Sequence, residues 1–236
     1  MLTACRPAGA GTVLDLCCSY GINAALLNHE LTLEDLYAHY TSPQATELTT
    51  AELIEWDRAY YAAHRRPEPA RVIGLDAASH AVSYAHAVGL LEEAFAENLE
   101  TAPPSPALRQ AARHTRLITV TGGSSFLSPL TFGPLLDCVH GPVWVAAFVL
   151  RTHSYRRIAK CLEPYGLSTE RAATHTFPQR RFTSKQEQRY AIDAVTAAGE
   201  DPQARETHGY FHSTLYLSRS ATDAAEAPLA TLVQAS

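Results

Sequence analysis

Short runs of β-branched and large apolar residues recur along this chain with helical patterns between them. They lie at residues 12–16 (TVLDL), 71–75 (RVIGL), 116–121 (RLITVT) and 143–150 (VWVAAFVL). The last is apolar at successive rather than alternate positions, the pattern of a strand covered on both faces. Further strands are expected within 90–99, at 167–176 and at 209–217, the last alternating with period two. Helices are expected after Gly21, at 79–88, 155–162 and 186–198. Strands that alternate with helices restrict the chain to an α/β fold: a mostly parallel sheet of seven strands with helices on both faces.

The chain has 236 residues, enough for one substantial core, so one domain is expected over residues 1–220. Residues 30–70 read as a helical insertion after the first strand–helix unit. In it Thr32 with Asp35, and Thr49 with Glu52, have the spacing of capping boxes. Leu53, Trp56 and Tyr60 share one face of the helix that the second box starts. The alanine-rich stretch 221–236 carries few large side chains and is expected to be a frayed or flexible tail.

A formal charge of −5 provides no footprint for nucleic acid or an anionic membrane. No apolar run approaches the roughly 20 residues of a membrane span, and residues 1–10 lack the basic-then-apolar profile of a secretory leader. A cytoplasmic protein is expected. Its five cysteines, two adjacent at Cys17 and Cys18, have neither zinc-site nor disulfide-framework spacing and read as free thiols. His208 and His212 are spaced like helical metal ligands, but they fall where a strand is expected, so no metal is assigned.

Two of the runs end in or near an acid. The first continues as VLDLCCSYG, residues 13–21, and the second closes on Asp76. The first segment resembles the VLDLGCGxG turn of class I S-adenosylmethionine (SAM) dependent methyltransferases, which have a Rossmann-like fold. Cys17 and Ser19 stand where that family usually has glycine, and Gly21 keeps the last one. The resemblance implies that Asp15 organises the turn and the ammonium end of the cofactor, and that Asp76, with Ala77 beside it, accepts hydrogen bonds from the ribose hydroxyls. It places Glu97 and Asn98 near the adenine, and Gly122 and Gly123 along the cofactor and its transferred methyl group. Each position also has a plainer role open to it: an ordinary turn at 17–21, a helix cap at Asp76, a solvated charge at Glu97, a tight turn at Gly122–Gly123.

The resemblance thus implies SAM as cofactor and methyl transfer to a small-molecule acceptor, as in secondary metabolism. The turn is also similar to that of SAM-consuming cyclases such as the azetidine-2-carboxylate synthases, which release methylthioadenosine; there Tyr20, Asn23, Ser124 and Tyr155 would bend the methionine tail. A third reading is a degenerate or N-terminally truncated SAM-binding protein, suggested by the missing glycines and a first strand so near residue 1. Candidates for acceptor chemistry are Tyr20, Ser124, His153 and Tyr155, with Arg151, Arg180 and Arg181 as cations able to hold a carboxylate. Oligomeric state is left open, a homodimer included.

Overall fold

The structure, a computed structural model, describes residues 11–172 and 175–234. The expectation about residues 1–10 lies outside them, as does part of the strand expected at 167–176.

In chain order the elements are β1 (Thr12–Leu16), α1 (Ile22–Asn28), α2 (Leu33–Tyr40), α3 (Pro43–Glu47), α4 (Thr50–Ala63), β2 (Arg71–Leu75), α5 (Ser79–Ala87), β3 (Glu93–Phe95), α6 (Pro106–Ala112), β4 (Thr115–Thr121), α7 (Pro129–Leu136), β5 (Trp144–Leu150), α8 (Arg156–Leu162), β6 (Ser168–Arg171), β7 (Phe177–Arg181), α9 (Lys185–Ala197), β8 (Tyr210–Arg219), α10 (Ala221–Glu226) and α11 (Leu229–Gln234). The strands form one sheet in the order β3-β2-β1-β4-β5-β8-β6, with β7 also paired to β8. Pairing is parallel from β3 to β5 and antiparallel at every contact of β8.

The expected sheet of seven strands is therefore amended: eight strands are described, and β8 makes the sheet mixed. The additional strand is β7, which carries Arg180 and Arg181. It and β6 divide one edge of β8, with β6 opposite residues 216–219 and β7 opposite residues 210–213. Pro178 is tolerated because an edge strand can leave one of its two sides unpaired. His208 ends a short 3-10 helix while His212 lies on β8, so the two do not share the strand expected for them.

Period-two alternation divides the core into two layers. Val13 and Leu117 face one side, with Ala24 and Ala25 of α1 and Val82 and Ala85 of α5. Leu14, Leu16 and Ile118 face the other, with Leu108 of α6, Phe132 of α7 and Ile158 of α8. Asp15 is two residues from Val13 and so points toward α1.

Both capping boxes form: Thr32 and Asp35 start α2, and Thr49 and Glu52 start α4. Gly89, at φ 83°, lets the chain leave α5 through a left-handed conformation. The stretch from 221, expected to be a frayed helix or a flexible tail, forms two short helices, α10 and α11, separated at 227–228. Leu229 and Val233 enter the core, and the Trp144 indole N–H donates to Asp223 at 2.9 Å. These two apolar anchors one turn apart, with Leu232 beside them, hold α11 against the core. Among the described residues, no helix is long and apolar enough to cross a membrane.

Candidate functional site

A cavity of about 630 Å³ opens beyond the carboxyl ends of β1, β2 and β4. Its size is that of an ordinary small-molecule site, and its place is where open α/β sheets hold ligands.

The turn after β1 forms its floor. Cys17 and Ser19 adopt φ of 54° and 48°, and Gly21 adopts 79°. The two positions without glycine are thus held in a left-handed conformation that favours glycine. The turn is closed by Gly21 N–H donating to the Cys18 carbonyl at 2.8 Å. The Cys18 thiol is buried beside Gly74, where an added Cβ would come within 2.8 Å of the sulfur. Burial, with the nearby Asp76 and Asp15 charges, pushes the Cys17 thiol up to about 12, so it stays protonated at neutral pH.

Asp76, just past β2, ties this turn to the next helix. Its Oδ2 accepts from the Ser19 N–H and its Oδ1 from the Ala78 N–H, each at 2.9 Å. An ionised carboxylate offers about four lone-pair sites, so two remain for hydroxyls of a ligand. Ala77 adds a small side chain to the same wall.

Asp15 stands under the turn and is not in the cavity wall. It is buried, and its Oδ1 accepts from Thr119 Oγ1 at 2.7 Å and from Asn23 Nδ2 at 3.0 Å. Its Oδ2 is buried without a partner. Burial pushes its carboxyl up to about 6, the two donors opposing the rise and the Asp76 charge adding to it.

Glu97 and Asn98 both line the cavity. Each Glu97 oxygen accepts one hydrogen bond, from the Ser105 N–H and hydroxyl at 2.9 and 2.6 Å at the start of α6, so this carboxylate also caps that helix. Asn98 accepts the Glu100 N–H through Oδ1 at 3.0 Å, which leaves its amide NH2 as a donor. Gly122, at φ 78°, and Gly123 close the wall at the end of β4.

The remaining candidates do not converge here. Tyr20 is 54% exposed and lines a different cavity, described below. The Ser124 hydroxyl donates to the Phe148 carbonyl at 3.3 Å. His153 is exposed beside Thr152. Tyr155, expected near a substrate, is buried in the core against Tyr216. Arg151, expected to be available to a substrate, is buried and bound to Glu206 at 2.6 Å and Glu200 at 2.9 Å. Arg180 pairs with Glu187 and lies over Phe211, and Arg181 lies over Tyr210.

Glu100, Phe126 and Thr131 line the cavity without having been singled out in the sequence. Burial raises the Glu100 carboxyl, but hydrogen bonds from Thr131 and Ser128 outweigh it and hold the group below its ordinary value. Its only local signal is an acid two residues after Asn98 in a proline-rich loop. Phe126, 76% exposed, stands at the rim.

No known family and no curated protein matches the chain. Among solved structures it is similar to the YcgJ protein of Bacillus subtilis, at 11% identity over 93% of this chain and 96% of that one, with a TM-score of 0.50. Weaker likenesses are to the TehB-like SAM-dependent methyltransferase of Corynebacterium glutamicum (13% identity, 91% and 83% covered, TM-score 0.43) and to the plantazolicin methyltransferase BamL in complex with a triazolic desmethylPZN analog and SAH (12% identity, 92% and 80% covered, TM-score 0.44). The first likeness supports the fold described above, and none of the three identifies a ligand of this chain.

Proposed function

We propose that this chain is a SAM-dependent methyltransferase acting on a small-molecule acceptor in the cytoplasm, in a reaction of secondary metabolism. The observation that carries the reading is the pairing of Asp76 with the Ser19 backbone. It puts a carboxylate with two spare lone pairs beside a turn of small residues, at one cavity.

The residues present fit the cofactor. Asp76 would accept the ribose hydroxyls, and the free Asn98 amide would donate to a ring nitrogen of the adenine. Leu75, Leu99 and Leu127 offer apolar surface to the flat base. Gly122 allows close approach of backbone to ligand, and Glu97 and Glu100 add two carboxylates to that of Asp76, which suits a ligand with cationic groups. Asp15 would act from beneath, keeping Asn23 of α1 and Thr119 of β4 in register under the turn. When bound, SAM supplies an activated methyl group on a sulfonium. The chain's own task is then to orient the acceptor and exclude water.

Calorimetry with SAM and with S-adenosylhomocysteine tests the binding, and incubation with SAM followed by product analysis tests the reaction. Release of S-adenosylhomocysteine in the presence of acceptor supports transfer. Methylthioadenosine would move the chain to the cyclase reading, and no binding of either nucleoside at millimolar concentration would leave neither enzyme reading standing.

A further inference from the structure

A second cavity, about 750 Å³ in volume, lies between α4 and α5 and against the first turn. Tyr20, Ile22, Tyr40, Leu53, Ile54 and Tyr84 line it together with polar residues that include His80, and Ser19 lines both this cavity and the first.

Behind this wall stands Asp57 of α4, with no exposed surface. Its Oδ2 accepts the hydroxyls of both Tyr40 and Tyr84 at 2.6 Å, and its Oδ1 accepts from His39 Nε2 at 2.8 Å. The carboxylate can only accept, so Nε2 is the protonated nitrogen of that imidazole. Among the described residues no lysine or arginine pairs with Asp57. His39 is itself stacked between Trp56 and Tyr60, at 3.7 and 3.8 Å between ring centroids. Three helices, α2, α4 and α5, therefore join in fixing two tyrosine rings on one wall. Burial, together with hydrogen bonding to Asp57, pushes both phenols up, so they remain donors and do not serve as bases.

A phenol that donates to a carboxylate becomes more electron-rich at its ring and oxygen. The cavity lining contains no lysine or arginine. Arg58 of α4 reaches the end of α5 beside the cavity, where it donates to the Ala87 carbonyl and pairs with Glu55. An apolar, tyrosine-rich cavity whose phenols donate to a buried carboxyl group and turn their electron-rich rings toward a ligand favours a cation with an apolar body over a neutral molecule or an anion.

We propose that this cavity is a second ligand site, which takes a small apolar amine with its ammonium against the Tyr40 and Tyr84 wall. The site needs no methyl transfer, and its ligand is separated from the first cavity by the Ser19 turn.

The test is calorimetric titration of the purified chain with phenethylamine, 2-phenylethanol and 3-phenylpropionate, which have similar bodies and differ in charge. The amine is expected to bind about tenfold more tightly than the alcohol, and the carboxylate not measurably. Leu53→Trp, which fills the cavity from its half-exposed rim, should abolish amine binding while leaving the melting temperature and SAM affinity unchanged. Asp57→Asn should erase the preference for amine over alcohol. Because that change disturbs three donors, Tyr84→Phe, which takes away one phenol hydroxyl and leaves Asp57 in place, provides a milder variant expected to weaken the amine severalfold. Equal binding of amine and carboxylate, equal binding of amine and alcohol, no saturable binding of any probe, or amine binding indifferent to Leu53→Trp would each overturn the proposal. Loss of SAM binding with amine binding intact would instead overturn the methyltransferase reading and leave this one standing.

Discussion

The Cβ that Gly123 lacks would lie 2.3 Å from the Cβ of Cys17 and 2.4 Å from its sulfur. The two residues stand 106 positions apart, at the ends of the neighbouring strands β1 and β4, and only one of them can carry a side chain there. The chain has a cysteine on the first turn and a glycine on the second.

Gly123→Ala should therefore destabilise the fold by about 1–3 kcal/mol, the range for overpacking a close contact. The clash is with a Cβ fixed to the backbone, so it cannot be relieved by rotating a side chain. Adding Cys17→Gly should recover most of the loss, giving a coupling in a double-mutant cycle of urea unfolding well above additivity error. Additive effects would show that the two positions do not meet.

Ser19→Gly should raise stability by about 0.5 kcal/mol: relief of the left-handed conformation is worth roughly 1–2 kcal/mol and is offset in part by the freer unfolded chain. The backbone N–H that Ser19 donates to Asp76 is retained. Chemical denaturation measures the change, and a loss of stability would mean that the serine side chain supports the turn.

Asp76→Ala removes the acceptor of two backbone N–H groups and the carboxylate offered to the ligand. SAM affinity should fall by about 1.5–3 kcal/mol, the scale of hydrogen bonds to a charged group, or roughly 10- to 150-fold. Calorimetry on a variant whose circular dichroism matches the parent isolates the effect. Unchanged affinity would remove Asp76 from the site.

Asp15 should impose a pH dependence on stability. Its folded-state value of about 6 lies above the ordinary carboxyl value, so the folded protein holds this proton more tightly than the unfolded chain does. Stability should fall as pH rises from about 4 to about 6 and be level in this respect above that, over a total of roughly 3 kcal/mol. Urea unfolding of the parent and Asp15→Asn between pH 4 and 7 should show the gap shifting in favour of the variant up to about pH 6. Parallel curves would mean that Asp15 does not titrate in this range.

Arg151→Met should cost about 3–5 kcal/mol by leaving Glu206 buried without its cation. SAM affinity should be unchanged in the folded fraction. A stable variant with altered ligand binding would return Arg151 to the site.

The features legible in the sequence were those set by near neighbours. Thr32 with Asp35, and Thr49 with Glu52, act across three residues, and both form the caps that their spacing implies. The apolar runs at β1, β2, β4 and β5 declare themselves by composition. The absence of glycine at Cys17 and Ser19 also had a local meaning, since both residues lie at positive φ. By contrast, nothing local in Phe177–Arg181 marks a strand, and only the free edge of β8 makes β7 one. The bonds from Ser105, eight residues on, that make Glu97 a cap of α6 were likewise not marked in the sequence. Tyr155 follows a strand toward which ligands are expected, yet its ring turns into the core.

The linear order of residues thus settled the alternation of strands and helices, the turn after β1 and its two acids, because backbone conformation and side-chain periodicity are decided within a few residues. Tertiary structure alone decided that Cys17 excludes a side chain at position 123, that Arg151 is an internal counter-ion, and that Asp57 gathers His39, Tyr40 and Tyr84. Each of these joins surfaces from distant segments, and no local pattern records which surfaces will be brought into contact when the core closes.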